Sequence, residues 1–395
     1  MRTTAGPGES SARQRRVARD ADREAGARPA WARWNSSLEC RYTVGVEEEL
    51  MLLRRRDHSL AQSSDEVLAR LSRVLRERTS PETHASVIEL ATGIHLDVAG
   101  AVGELVALRA RLAGELGAIG LAAACAGTYP LGGADEVKVS GAARYGVVDG
   151  SMRMLARRSP TMALHVHVGV PAAEDAIRLL NSLREVMPVL VALSANSPFY
   201  QGRDTGFASA RTVIFGAFPR TGTARRFGGY ADYVEAVQPL IASGALADPS
   251  FLWWDARLQP ALGTVEVRVM DAQSTVADSA PLVALVQSFA HLVLEGESPD
   301  SGISAEVLAE NRFLAARDGL DARLIDPVKR RLVPVRTSAK ALVRRCRPHA
   351  AALGCRVELD RIERLVAANG ADRQRARAEQ CGLVDLVATL SACFT

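Results

Sequence analysis

The stretch Tyr42–Leu53, YTVGVEEELMLL, sets three carboxylates side by side in an otherwise apolar run. In an extended strand successive side chains point to opposite faces, so Tyr42, Val44, Val46, Leu50 and Leu52 share one face and Thr43, Gly45, Glu47, Glu49 and Met51 the other. Glu47 and Glu49 then project together, roughly 7 Å apart at about 3.3 Å rise per residue. Two such carboxylates suit a site that gathers cations and repel each other without one. Glu48 points to the apolar side, where burial demands a partner such as Arg, because an unpaired buried carboxylate is too costly. The plainer alternative is a strand end whose charges are simply solvated.

The same alternation recurs twice. In LHVHVGV (164–170), Leu164, Val166 and Val168 face one way and His165, His167 and Gly169 the other. In TVEVRVMD (264–271), Val265, Val267 and Val269 oppose Glu266 and Arg268. A fourth element, PETHASVIEL (81–90), carries Glu82 and Glu89 seven residues apart, one stripe of a helix or one edge of a helix-to-strand bend. Each pattern alone has an ordinary explanation. Together, three strands with polar faces in apolar sequence imply one sheet whose open face is a site.

Several Glu with one or two His make a hard, oxygen-rich donor set that suits Mg²⁺ or Mn²⁺ better than zinc. Magnesium in turn suggests phosphate, since it is usually held by a few carboxylates and substrate phosphate oxygens. No Walker A loop or dinucleotide glycine fingerprint is present, so a nucleotide would be held by metals, Arg and backbone. Arg203 and Arg211 lie in a Gly-containing loop (197–215), Arg257 in WWDARLQP (253–260), and Arg373 and Arg375 in GADRQRA (370–376). As bidentate forks they are candidate anchors for an anionic substrate.

The chain's 395 residues, 24% of them charged, suffice for one large domain or two average ones. The net charge of +4 is mild, and much of the excess comes from the first forty residues, where eight Arg meet five acids. Nucleic-acid binding is not indicated: aromatics are 5% of the chain and no basic run is interleaved with them. Apolar stretches such as VMPVLVALSA (186–195) are too short and interrupted to span a bilayer, so no membrane partner is expected. The polar N-terminus lacks the apolar core of a signal peptide, which makes the cytoplasm the expected compartment. Cys40, Cys125, Cys346, Cys355, Cys381 and Cys393 are scattered without a CxxC pair and read as reduced thiols.

Residues 1–40 lack a sustained apolar period and read as a disordered tail, followed by one domain over 41–395. Spacing predicts a helix over 63–78 with Leu68, Leu71 and Leu75 on one face, a strand within 85–98, and helices near 98–119 and 173–195, the latter kinked or bounded at Pro188. Strands are expected near 121–124, at 251–260 and at 264–271, and a mostly helical last third from about Ala277. The class is α+β, with an antiparallel sheet covered on one side.

VGVEEEL (44–50), LHVHVGV, residues 192–215, 253–276 and 310–326, and GADRQRA resemble, in that order, the bacterial glutamate-cysteine ligase type 2 family, also called the carboxylate-amine ligase family. The resemblance runs from about Arg41 to the C-terminus. It implies a glutamine synthetase-like fold, a curved antiparallel sheet with flanking helices whose concave face holds ATP, two or three Mg²⁺ and the acid substrate. It implies metal ligands at Glu47, Glu49, Glu82, Glu89 and Glu266, contacts to metal or γ-phosphate from His165 or His167, and charge stabilisation by Arg268. It also places Arg203, Arg211 and Arg257 near the substrate and Arg373 and Arg375 near the nucleotide. The implied reaction is ATP-dependent amide formation through an acyl phosphate, with glutamate and cysteine as default substrates. Another acid and amine pair, a metal-dependent hydrolase on the same face, and a catalytically silent nucleotide binder are the alternatives; a homo-oligomer is left open. One departure stands out: after Arg257 the family continues with Pro-Ser, whereas this chain has Leu258-Gln259, a change in the substrate pocket.

Overall fold

The computed structural model describes residues 28–132, 137–158, 160–296 and 302–395. The alternating stretches are strands of one antiparallel sheet of seven: β1 Val44–Arg54, β2 Thr79–Pro81, β3 Val87–Ala91, β4 Leu121–Ala124, β5 Ala163–Gly169, β6 Ala256–Gln259 and β7 Thr264–Asp271. Their order is β6-β7-β5-β1-β3-β2, with β4 pairing the far end of β1 at Met51–Arg54, where β3 has ended. The strand bearing the three carboxylates is therefore central.

One face of this sheet is hydrocarbon. Val44, Val46, Leu50 and Leu52 of β1, Leu164, Val166 and Val168 of β5, and Val265 and Val267 of β7 are all buried. Three long helices cover that face: α1 (Val98–Ala118) against β1 and β4, α2 (Ala173–Ser194) against β6 and β7, and α3 (Val276–Leu294) against β5. Asp97 caps α1 by accepting from the Gly100 amide, and Thr275 caps α3 through the Asp278 amide. By length and composition α3 could cross a membrane, but 89% of its apolar window is buried within the protein. Pro188 sits inside α2 and does not end it.

Glu48 is the one acid of β1 that enters this layer, at 0% exposure. Arg109 of α1 donates to its Oε2 at 2.8 Å and Ser279 of α3 to its Oε1 at 2.7 Å. The remaining Arg109 donors reach the carbonyls of Gln273, Ser274 and Phe394. The Arg partner that the sequence requires is thus present and held by four hydrogen bonds.

Several elements differ from the sequence reading. The expected helix over 63–78 is two short ones, Ser64–Arg70 and Arg73–Arg76. Leu71 is extended (ψ 145°), and the Ser72 amide donates to Glu115 at 2.8 Å, so the break keeps both Leu71 and Leu75 buried. Arg323–Asp326 and Arg331–Pro334 form a hairpin within the last, otherwise helical third. Residues 28–40, read as part of the tail, are docked: Trp31 Nε1 donates to Gln238, Trp34 Nε1 to the Val170 carbonyl and Tyr230 Oη to the Ala32 carbonyl. Trp31 and Trp34 meet Tyr233 and Tyr230 edge-on at 6.1 and 5.9 Å. Gly169 admits this segment, because a Cβ there would lie 2.0 Å from the Cys40 carbonyl oxygen. Residues 1–27 of the expected tail lie outside the described residues.

Candidate active site

Register alone assembles the polar face. Glu47 lies opposite His165, Glu49 opposite Glu89, and Glu266 opposite His167 on one side and Arg257 on the other. Glu82 joins them from the β2–β3 connection, so the Glu82/Glu89 pair spans a strand-to-strand turn; neither a helix stripe nor a helix-to-strand bend is involved. All of these side chains except the buried Glu266 line a cavity of ≈ 280 Å³.

Three sets of donor atoms converge within 4.8 Å: Glu47–His167–Glu266, Glu47–Glu89–His165 and Glu49–Glu82–Glu89. His165 Nδ1 is 3.2 Å from Glu47 and 3.7 Å from Glu89; His167 Nε2 is 3.3 Å from Glu47. The Nε2 atoms of both imidazoles are buried without a hydrogen bond. Burial pushes Glu82 up to about 7, assisted by the charge of Glu49. Glu89 is also raised well above the usual carboxylate range, by burial and then by Glu47, Glu82 and Glu49. Glu47 goes the other way, since His167 and His165 outweigh its burial. Burial and Arg268 lower His165, whereas Glu266 and Glu47 overcome burial at His167 and raise it. Repelling carboxylates and orphaned imidazole nitrogens are the environment that a hard divalent cation relieves. The residues present fit Mg²⁺ or Mn²⁺.

Glu266 has a different task. Its Oε2 accepts from Arg257 Nε at 2.7 Å and Gln259 Nε2 at 2.6 Å, and its Oε1 accepts from Arg257 Nη2 at 3.2 Å and from Arg268 Nη1. A carboxylate offers about four lone-pair sites, and here all are taken. Glu266, one of the converging donors above, is thereby also the anchor of two arginine forks, held ionised against its burial by Arg257 and Arg268. Glu47, Glu49, Glu82 and Glu89 keep free acceptor sites, with single bonds such as those from the Ala163 amide to Glu49 (2.7 Å) and Ser80 to Glu89 (3.1 Å). Gln259, flagged as a departure, lies in the cavity and completes the Glu266 knot; Leu258 is buried.

The other arginines divide. Arg211 lines the cavity but spends its Nη atoms on the carbonyls of Arg268 (3.0 Å) and Val269 (3.1 Å). Those carbonyls belong to a bulge in the β5–β7 ladder between Val267 and Met270, so Arg211 is a buttress for the Arg268 strand. Arg203 is exposed and does not line the cavity. Arg375 is paired with Asp204 at 2.8 Å, and Arg373 with Asp278 at 2.7 Å, where they tie the start of the helix Gly370–Ala392 to neighbouring segments. Neither lines the cavity.

Sequence reasoning missed several lining residues. Arg144, Tyr145 and Arg158 come from the helix Ala143–Met152 and the turn after it, a stretch with no alternation to mark it. Ile214, Phe215, Phe218 and Trp253 form an apolar wall. Asp271, at the end of β7, was also overlooked: it accepts from the Asn196 amide, Ser197 and Ser209 at 2.6–2.8 Å and pins the loop that carries Arg211.

A family model described as glutamate-cysteine ligase family 2 matches residues 43–387. A Rubrobacter xylanophilus protein with the provisional name glutamate–cysteine ligase 2-1 is 41% identical over 352 residues, covering 88% of this chain and 94% of that protein. A Thermobifida fusca protein provisionally named glutamate–cysteine ligase 2 is 35% identical over 354 residues, with 87% and 88% covered. Among solved structures, glutamate–cysteine ligase of Francisella tularensis in complex with AMP matches with a TM-score of 0.65 at 14% identity, covering 89% of this chain and 88% of that one. At that identity the likeness shows the fold, which is the glutamine synthetase-like one.

Proposed function

The chain belongs to glutamate-cysteine ligase family 2 and is an ATP-dependent carboxylate–amine ligase, and from that premise we propose that it activates an acid as its acyl phosphate, with glutamate and cysteine as the default pair. The observation that carries this reading is the opposition, in one cavity, of four carboxylates with open acceptor sites and two arginines locked on Glu266.

Glu47, Glu49, Glu82 and Glu89, with His165 or His167, would hold Mg²⁺ or Mn²⁺, which when bound neutralises phosphate charge and aligns the γ-phosphoryl group. The chain's own part is positioning. The substrate carboxylate attacks the γ-phosphorus in line, ADP leaves, and charge developing on the transferred group meets the Arg268 fork. Arg268 is preorganised because Glu266 fixes its guanidinium and Arg211 fixes its strand. An amine then displaces phosphate from the acyl carbon. No protein nucleophile is needed; the six cysteines form no disulfide, and three of them are buried. Thiols outside disulfides also accord with a cytoplasmic setting.

The test supplies ATP, Mg²⁺ and a panel of acids with hydroxylamine as a surrogate amine. A ligase gives ADP, phosphate and a hydroxamate that depend on the acid. A hydrolase would cleave an ester or amide without ATP, and a silent binder would do neither.

A further inference from the structure

The cavity wall facing the carboxylates is apolar where the reaction, as read above, has no use for hydrocarbon. Ile214, Phe215, Phe218 and Trp253 are each half-buried and turn their remaining surface to the cavity. Phe218 meets Phe215 at 5.7 Å and Trp253 edge-on at 6.1 Å, so three of the four form one continuous aromatic surface. Left in water, such a surface is unfavourable; covered by a ligand it becomes binding energy. A purine edge requires donors and acceptors, and these four side chains offer none beyond the Trp253 indole N–H. The side chain of cysteine, one carbon and a thiol, would leave most of the wall wet.

Two cations of the same cavity lack a carboxylate within ion-pair distance among the described residues. Arg144 rests on the Phe251 ring at 4.4 Å and donates to Ser250 Oγ at 2.9 Å, and Phe251 in turn adjoins Trp253 at 6.3 Å. Arg158 lines the cavity with no side-chain bond among the described residues. Cations held beside an apolar wall match a ligand that is hydrocarbon at one end and carboxylate at the other.

We propose that the acceptor amine is an α-amino acid with a bulky apolar or aromatic side chain, which packs on Phe215, Phe218 and Trp253 while its carboxylate meets Arg144 and Arg158. The inference rests on the ligase reading. Its amino nitrogen forms the C–N bond as the acyl C–O bond to phosphate breaks; phosphate leaves with the electron pair and the nitrogen releases a proton.

The experiment first finds, with hydroxylamine, the acid that supports hydroxamate formation, and then compares acceptors by kcat/KM with that acid. L-Phenylalanine or L-leucine is expected to exceed L-cysteine at least tenfold, the discrimination that one or two methylenes confer in an apolar pocket. Phenethylamine, which lacks the carboxylate, should fall at least tenfold below L-phenylalanine. In Trp253→Ala and Phe218→Ala, folded by thermal melting, the ratio of L-phenylalanine to hydroxylamine kcat/KM should drop at least tenfold. Cysteine equal to or better than the apolar amino acids overturns the proposal with the ligase reading intact. So does a rise in KM confined to ATP in the wall variants, which would make the wall a purine site. Absence of hydroxamate with every acid overturns the ligase reading itself. Should both variants fail to fold, the wild-type acceptor comparison decides alone.

Discussion

Glu48 and Glu49 are adjacent in sequence and have opposite duties. Glu48 is buried in an ion pair whose partner makes four hydrogen bonds within the core, so Arg109→Leu should destabilise the protein by about 3–5 kcal/mol, the cost of leaving a buried charge unpaired. Denaturant midpoints measure this, and a shift within error would contradict the buried-pair account. Glu47→Gln and Glu49→Gln should leave those midpoints close to wild type and abolish ATP turnover. Retention of more than about a tenth of the activity in both would contradict the metal-ligand assignment, since each contact should be worth over about 1.4 kcal/mol in the transition state. Glu82 adds a pH signature. Its folded value is raised from 4.5 to about 7, so its stabilising share is fully present below about 4.5 and is lost as pH rises through about 7. Relative to wild type, Glu82→Gln should therefore gain melting temperature from pH 5 to pH 8 in EDTA, and lose that gain when Mg²⁺ is added. A pH-independent difference would show that Glu82 is not held protonated by its neighbours. These acids were legible in sequence because alternation assigns each to a face. The task of Glu266 was not, because it depends on Arg257 and Gln259 reaching across from the adjacent strand, and strand pairing is not written in either strand alone.

At the scale of elements, the sequence pattern located β1, β5 and β7 and helices α1 and α2, whose alternation or helical composition runs over enough residues to leave one solution, and placed α3 only within a mostly helical last third. It failed where a single tertiary contact decides. The helix break at Leu71 follows from Glu115 capturing the Ser72 amide, and the segment 28–40 docks through two tryptophans and a run of backbone contacts with no apolar period. That segment closes over Gly263 and Gly169, so it belongs to the folded domain and not to a dispensable tail. Trp34→Ala should cost about 2 kcal/mol, through lost ring burial and the bond to the Val170 carbonyl. Removal of residues 1–40 should lower the melting temperature by several degrees. An unchanged melting curve after that deletion would show that the docking contributes nothing to stability.

The whole molecule is a division of labour between the two faces of one sheet. Helices α1, α2 and α3 bury one face and make it rigid; the other carries acids, imidazoles and arginines whose spacing is set by the pairing registers. Rigid strands hold the carboxylates against their mutual repulsion, which is what preorganised electrostatic stabilisation requires. The central claim is that this face activates a carboxylic acid by phosphorylating it. The most direct test supplies the productive acid with both carboxylate oxygens labelled with ¹⁸O, together with ATP, Mg²⁺ and an amine, and weighs the phosphate released. An acyl-phosphate route transfers one labelled oxygen to phosphate in each turnover, with ADP as the other product. Unlabelled phosphate, or release of AMP and pyrophosphate, would contradict it.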